Sequence, residues 1–319
     1  MFKNYLTVAL RNLFLQKTIS FINIAGLTLG LASFIVIFLY LQNELEYDKY
    51  NAHYDDIFRV VSNDYARTPA PLAEALRNRF PEIDNTVRIA KAEKTAIGVG
   101  EKKFYEGGIL LADPSILSVF TLPLVDGNPT TALRDPLSVL LTQTAAKKYF
   151  GDADPVGRSM TFDHKFDLKV TGVLKDVPSQ SHFHCDFLIS MSSADELYGK
   201  DFLANRINTS VYTYLSLIHP SQSHLLTSQL SLFIKDYYSS YRFFAPPSLV
   251  LQRLPSIHLY SDLGGEIEPN GDRRYVYIFA AVDILILLMA CINYMNILIA
   301  RYSNRIGEIG VRKVLGAGN

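Results

Sequence analysis

Two apolar runs at opposite ends of the chain restrict what it can fold into more than any other feature. Residues 19–41 (ISFINIAGLTLGLASFIVIFLYL) contain no charged side chain. Coiled as an α-helix, such a run is about 34 Å long, enough to cross the hydrocarbon core of a bilayer. Residues 275–300 (YVYIFAAVDILILLMACINYMNILIA) repeat the pattern with one charged interruption, Asp283. A cleavable signal peptide does not explain the first run. It exceeds the usual apolar length of ~7–15 residues, and no small-x-small site follows it. Two transmembrane helices are therefore expected, flanking residues 42–274.

Basic residues near the spans set the orientation. Lys3, Arg11 and Lys17 precede the first span; Arg301, Arg305, Arg312 and Lys313 follow the second. Glu44, Glu46 and Asp48 come just after the first. Arg273 and Arg274 break the rule but are outnumbered. Both termini are thus expected in the cytoplasm and residues 42–274 outside it. Residues 1–18 place Phe2, Tyr5, Leu6, Ala9, Leu10, Leu13 and Phe14 on one helical face. That pattern predicts an amphipathic helix on the inner membrane surface, its basic residues near anionic lipid.

Within the spans, Asn23, Gly26, Gly30 and Ser33 recur at helical spacing, and Gly26 and Gly30 form a small-xxx-small pair that lets another helix approach closely. Asn293 and Asn296 share a face and are candidates for hydrogen bonds to a neighbouring helix. Asp283 lies about two turns from the outer end and reads most simply as a locally tolerated acid.

The outer region alternates strand and helix signals. Strands are expected at 56–62, 86–90, 137–141 and 211–218, and a hairpin over 96–111 turning at residues 100–102. Two more strands are expected within 159–174, around His164 and Lys165. Helices are expected at 69–80, at 143–150 with Thr142 as its cap and Gly151 as its stop, and at 222–238. The result is a mixed α+β domain with two lobes. Cys185 and Cys291 fall in different regions and are not expected to pair, leaving the outer domain without a disulfide.

Chemistry is sparse. Lys+Arg and Asp+Glu both number 31, so no net charge points to nucleic acid. Residues 151–159 (GDADPVGRS) have the wrong glycine spacing for a phosphate loop and carry Arg158 where lysine is needed. His182, His184 and Cys185 offer zinc ligands, and a strand would put both histidines on one face, but no second cluster accompanies them. Neither a serine elbow nor an HExxH motif occurs. No catalytic residue, metal or cofactor is expected.

The tail, residues 301–319, pairs apolar Ile306, Ile309, Val314 and Leu315 with Arg305, Glu308 and Arg312 on a narrow arc. Glu308 and Arg312 stand at i, i+4 in the favourable order. Gly307 and Gly310 each weaken an isolated helix by about 1 kcal/mol, so this segment is expected to form against a partner surface. The stretch CINYMNILIARYSNRIGEIGVRKVLGA (291–317) strongly resembles the membrane-to-cytoplasm junction of MacB/FtsX-like ABC transporter permeases. RNLFLQKTISFINIAGLTLGLA (11–32), RFPEIDNTVRI (79–89), LLTQTAAKKYFGDADPVGRSM (140–160) and VTGVLKDVPSQSHF (170–183) match in order, and the outer domain resembles the MacB-like periplasmic core domain.

The resemblance implies a subunit of a dimeric permease in a bacterial inner membrane, worked by a separate cytoplasmic ATPase, with a possible partner or substrate at the outer domain. It implies that Arg305, Glu308, Ile309, Arg312, Lys313 and Val314 form the ATPase-coupling contact. The family continues into further spans after this point, so an incomplete permease is expected. A two-span receptor, either a chemoreceptor or the input module of a histidine kinase, has the same topology. Heptads sustained beyond the second span would favour it, and Gly307, Gly310, Gly316 and Gly318 argue against them.

Overall fold

The structure, a computed structural model, describes residues 17–241 and 245–314. The amphipathic segment 2–16 lies outside the described residues. The longer helices are α1 (Lys17–Leu45), α2 (Leu72–Arg79), α3 (Gln143–Phe150), α4 (Ser223–Tyr237) and α5 (Arg273–Val314). The strands are β1 (Ile57–Ser62), β2 (Thr68–Pro69), β3 (Ile83–Lys91), β4 (Thr95–Val99), β5 (Lys102–Glu106), β6 (Ile109–Ala112) and β7 (Leu124–Gly127). They continue with β8 (Ser138–Thr142), β9 (Ser159–Phe162), β10 (Phe166–Leu174), β11 (Phe187–Ser190), β12 (Thr209–Leu217) and β13 (Leu249–Arg253). The chain divides into two compact units, one from its two terminal segments and the other Glu46–Gly271.

In the terminal unit, α1 and α5 are apolar on nearly every side, as a helix solvated by lipid must be. Segments Ile24–Leu45 and Arg273–Asn296 are long and apolar enough to cross a membrane. Phe21, Leu29 and Met289 point away from protein, each more than 70% exposed. The first helix runs four residues past the expected end of its apolar run. The second continues unbroken through Gly307 and Gly310, so span and tail are one helix.

The unit Glu46–Gly271 is built on one sheet in the order β13-β1-β12-β3-β6-β11-β8-β10-β9-β4-β5. β2 pairs with β12, and β7 with β10. Along the path, β6–β11 and β8–β10 are parallel and the other pairs antiparallel. One apolar cluster, with Leu72, Leu76, Phe80, Leu226, Leu230 and Ile234, seals α2 and α4 to the β1–β12 end. Another, with Val139, Leu141, Tyr149, Met160 and Leu168, holds α3 at the β8–β10–β9 end. A third surrounds Phe120, Phe183 and Tyr214. The two lobes are therefore two ends of one continuous sheet, each with its own helices and core.

Local signals explain most elements. Thr142 Oγ1 accepts from the amide of Ala145 at 3.2 Å, and Gly151 ends α3 with φ +65°. Asp163 and His164 turn β9 into β10 with φ of +50° and +57°. Gly172 is required where β7 crosses β10, since a Cβ there would stand 2.6 Å from the Asp126 carbonyl.

Three expectations need correction. The helix expected from residue 69 begins at Leu72, because Thr68 and Pro69 pair with β12 and Pro71 occupies the N-cap. The hairpin expected over 96–111 contains only β4 and β5. Residues 109–112 leave it as β6 and pair with β3 and β11, strands distant in sequence. The short strands β7, β11 and β13 were not anticipated.

The face of α4 gives a direct test. Leu230 is fully buried, whereas Leu232 is 74% exposed. Leu230→Ala is expected to cost about 2–5 kcal/mol and Leu232→Ala no more than about 0.5 kcal/mol. Urea unfolding followed by circular dichroism measures both, and equal costs would mean that α4 does not pack as described.

Candidate functional site

The functional geometry of the outer unit lies where its two terminal connectors join the sheet. The first connector follows α1. Asp48, at φ +62°, is fully buried and its amide donates to the Gln180 carbonyl at 2.7 Å. Its Oδ1 accepts from the His182 amide at 3.2 Å and lies 2.7 Å from His182 Nδ1. Asn51 extends the tie, donating to the Asp48 carbonyl and accepting from the Thr121 amide.

From His182 a buried polar chain crosses the core. His182 Nε2 lies 2.7 Å from the Tyr214 hydroxyl, and Tyr214 on β12 is the cross-strand neighbour of Arg59 on β1. Asp48 Oδ1 accepts at Nδ1–H of His182, so Nε2 is the acceptor for the Tyr214 O–H. Burial pushes the Tyr214 phenol far above its ordinary value. Arg59 is fully buried within β1 and makes a bidentate pair with Glu266, Nη1 to Oε2 at 2.5 Å and Nη2 to Oε1 at 2.8 Å. Gln252 Oε1 accepts from Nε and Nη2, and Ser261 Oγ from Nη2. Burial alone would lower the guanidinium pKa, but the bond to Glu266 and the neighbouring Tyr214 outweigh it and hold the charge.

Glu266 belongs to the second connector, which runs toward α5. That strap is tied along its length. The Gly264 carbonyl accepts from the Ala66 amide, Gly265 from Tyr212 Oη at 2.8 Å, and Ile267 from Lys91 Nζ at 2.6 Å. Glu268 takes the His184 amide on Oε1 at 2.7 Å and His184 Nδ1 on Oε2 at 2.8 Å, while His184 Nε2 lies 3.1 Å from the Pro178 carbonyl. The bond to Glu268 raises the His184 pKa. Burial would raise Glu268, but His184 outweighs it and draws the carboxyl below its ordinary value. Beside this pair lies a cavity of about 340 Å³ lined by Lys91, Thr144, Asp176, His184, Asp186 and Glu268.

The segment 180–184 (QSHFH) is thus a common anchor: Gln180 and His182 hold the first connector, and His184 holds the second. The expectation that both histidines share a face is overturned. The segment is not a strand; His182 points into the core and His184 to the half-exposed rim. All four ring nitrogens have protein partners. Burial pushes the Cys185 thiol up to about 12, which leaves it unreactive. Among the described residues no group of three or more His, Cys, Asp or Glu is arranged to hold a metal.

The other expected site residues lie in the helical unit. A Cβ on Gly26 would stand 3.2 Å from Asn293 Nδ2, and one on Gly30 3.3 Å from Ala290 Cβ, so α1 and α5 approach closely there. Tyr40 meets Phe279 edge-on at 5.4 Å. Asn296 is exposed, and the Asn23 side chain lies outside the described residues. Asp283 is buried, with no hydrogen-bond partner for Oδ1. Arg305, Glu308, Ile309, Arg312, Lys313 and Val314 lie on the backbone of α5, and their side chains are outside the described residues. Sequence reasoning missed Asp48, Arg59, Tyr214, Glu266 and Glu268. The one available signal was Arg59, a charge inside the strand pattern IFRVVS.

The family model described as the MacB-like periplasmic core domain matches residues 20–225. Among solved structures, a domain of a protein described as a permease from Porphyromonas gingivalis superposes with TM-score 0.55 at 19% identity. The match covers 69% of this chain and 95% of that one. The periplasmic region of MacB from Actinobacillus actinomycetemcomitans gives TM-score 0.47 at 13% identity, over 63% and 90% of the two chains. The extracellular domain of the noncanonic ABC-type transporter YknZ from Gram-positive bacteria gives 0.45 at 12%, over 61% and 99%. No curated protein sequence matches significantly.

The buried pair carries a stability prediction. Glu266→Leu strands the Arg59 charge and is expected to cost about 3–5 kcal/mol, whereas the double change Arg59→Met with Glu266→Leu should cost clearly less. Denaturant unfolding of both variants decides it. A double variant as damaged as the single one would show that the pair's effect is not that of an abandoned buried charge.

Proposed function

The chain belongs to the family of MacB-like periplasmic core domains, and on that footing we propose that it couples ATP hydrolysis by a separate cytoplasmic ATPase to motion of its outer domain. It is a membrane protein in which two apolar helices flank a mixed α/β domain of the MacB/FtsX-type permease class. The carrying observation is that the two connectors are tied to buried cross-strand neighbours, Asp48 through His182 to Tyr214 and Glu266 to Arg59. A pull arriving through either span then loads the sheet itself. It is not absorbed by slack in a loop.

The second span suits this role. At 42 residues α5 is a rod of about 63 Å, carrying span and tail in one piece. In this reading Arg305, Glu308, Ile309, Arg312, Lys313 and Val314 form the face that seats on the ATPase, and both termini lie in the cytoplasm. Gly26, Gly30 and Asn293 set the spacing of the helix pair, with the exposed Asn296 facing other helices. The partners are the ATPase, a second permease copy, membrane lipid and an outer partner or substrate. The export or extraction of a substrate is the work done. The family match favours this reading over a two-span receptor.

Two experiments test it. Reversing the charge of Arg312 and Lys313 to Glu, in the permease expressed with its ATPase, is expected to abolish co-purification and ATPase-dependent activity. Retention of both would reject the coupling contact. Tyr105→Cys, at a site 70% exposed, should react with a membrane-impermeant maleimide on spheroplasts. Labelling only after lysis would place residues 46–271 inside the cell and end the scheme.

A further inference from the structure

The two ties on the second connector differ in kind. Arg59 and Glu266 have side-chain exposures of 0% and 12%, whereas those of His184 and Glu268 are 40% and 31%. The first pair is held by a guanidinium that cannot lose its charge. The second is held by an imidazole, the group whose charge changes nearest neutrality. Glu268 lies two residues beyond Glu266 on the way to α5. Opening the outer tie while the inner one holds would move the last firm anchor back to Ile267, whose carbonyl is bound by Lys91 Nζ. Residues 268–271, with an extended reach of at most roughly 13 Å, would then be free to lengthen, with the 3.3 Å bond from Asn270 Nδ2 to the Ser261 carbonyl as the next restraint.

We propose that His184 and Glu268 form a releasable latch on the second connector, closed while the pair is charged and opened by a change in external pH. Opening shifts the point where the connector begins to move without unfolding the domain. The latch also forms one wall of the 340 Å³ cavity, so water reaches the pair directly.

The sign of the dependence follows from the two shifts. His184 is raised above its ordinary 6.5, so its contribution is complete below that value and is lost as pH climbs through the raised one. Glu268 is lowered below its ordinary 4.5, so its contribution is complete above 4.5 and is lost as pH falls through the lowered one. The latch is therefore tightest between about 4.5 and 6.5 and releases on the alkaline side. Other groups face the pair. Asp48 lies on the first connector and raises His184; Lys91 on β3 lowers Glu268. Asp186 beside β11 is itself raised by burial and then by Glu106, and Asp176 and Cys185 complete the surroundings. Among these, Asp186 is the rival titrating group.

A nitroxide attached through Gly271→Cys, with Cys291→Ser, in the purified full chain reports connector mobility. Cys185 is buried and does not compete for the label. The immobile spectral component is expected to be maximal near pH 5–6 and to fall at least twofold by pH 9. His184→Gln should remove that alkaline limb, and Asp186→Asn should keep it. If His184→Gln loses its circular dichroism spectrum, Glu268→Gln breaks the same pair from the other side and should remove the limb equally. A mobility that does not change between pH 5 and 9, or a limb that survives in whichever of these two latch variants folds, overturns the latch. The mechanism rests on the proposed function only for its exposure to the medium. Failure of the spheroplast labelling and failure of this titration are therefore separate results.

Discussion

A guanidinium sealed inside an apolar sheet dictates the arrangement around it. Arg59 sits fully buried on β1 and cannot discharge, so every proton it carries must find an acceptor within the fold. Those acceptors come from far along the chain: Gln252 on β13, Ser261 and Glu266 on the strap that follows. Satisfying one charge therefore fixes the second connector to β1, and on the neighbouring strand the hydroxyl of Tyr214 meets His182. His182, so oriented, presents Nδ1 to Asp48 on the first connector. Replacing such a pair by apolar residues is often neutral for stability. Its effect here is positional: the second connector is located by Arg59, and the first is tied through His182 to the adjacent residue Tyr214.

Sequence patterns reached local structure and little beyond it. The apolar runs, the Thr142 cap with its Gly151 stop, and the β9–β10 turn are all encoded within a few residues, and all were legible. β6 was folded into a hairpin because its partners β3 and β11 are chosen by the sheet and not by neighbours in sequence. β7 and β11 are each four residues long, too short for periodicity to register. The site was harder still. His182 and Asp48 are 134 residues apart, and His184 and Glu268 are 84 apart. The stretch SHFHC therefore looked like half of a metal site, when its missing halves were carboxylates on two separate connectors.

The tail shows the same limit in a helix. Treated as an isolated segment, residues 306–315 looked too rich in glycine to fold without a partner surface. Attached to α5, residues 306–314 need no nucleus, because the apolar span has already formed one and each added residue gains a hydrogen bond. Two glycines at about 1 kcal/mol each weaken such an extension without breaking it. The membrane span is thus continuous with the helix that carries these residues as far as Val314.

Ties of unequal permanence suit a domain that must be both anchored and moved. Asp48 and His182 are completely buried, as is Arg59, so breaking either contact strands polar groups in the core. The His184–Glu268 pair is exposed enough that water competes with it, and a pair of that kind contributes at most about 1 kcal/mol. So small a term cannot decide whether the domain is folded. It is large enough to decide which of two connector lengths is populated, because 1 kcal/mol changes such a ratio about fivefold. Under the proposed coupling, permanent ties would hold the domain together as it is pulled, and the weak tie nearest the span would set how soon the pull is felt.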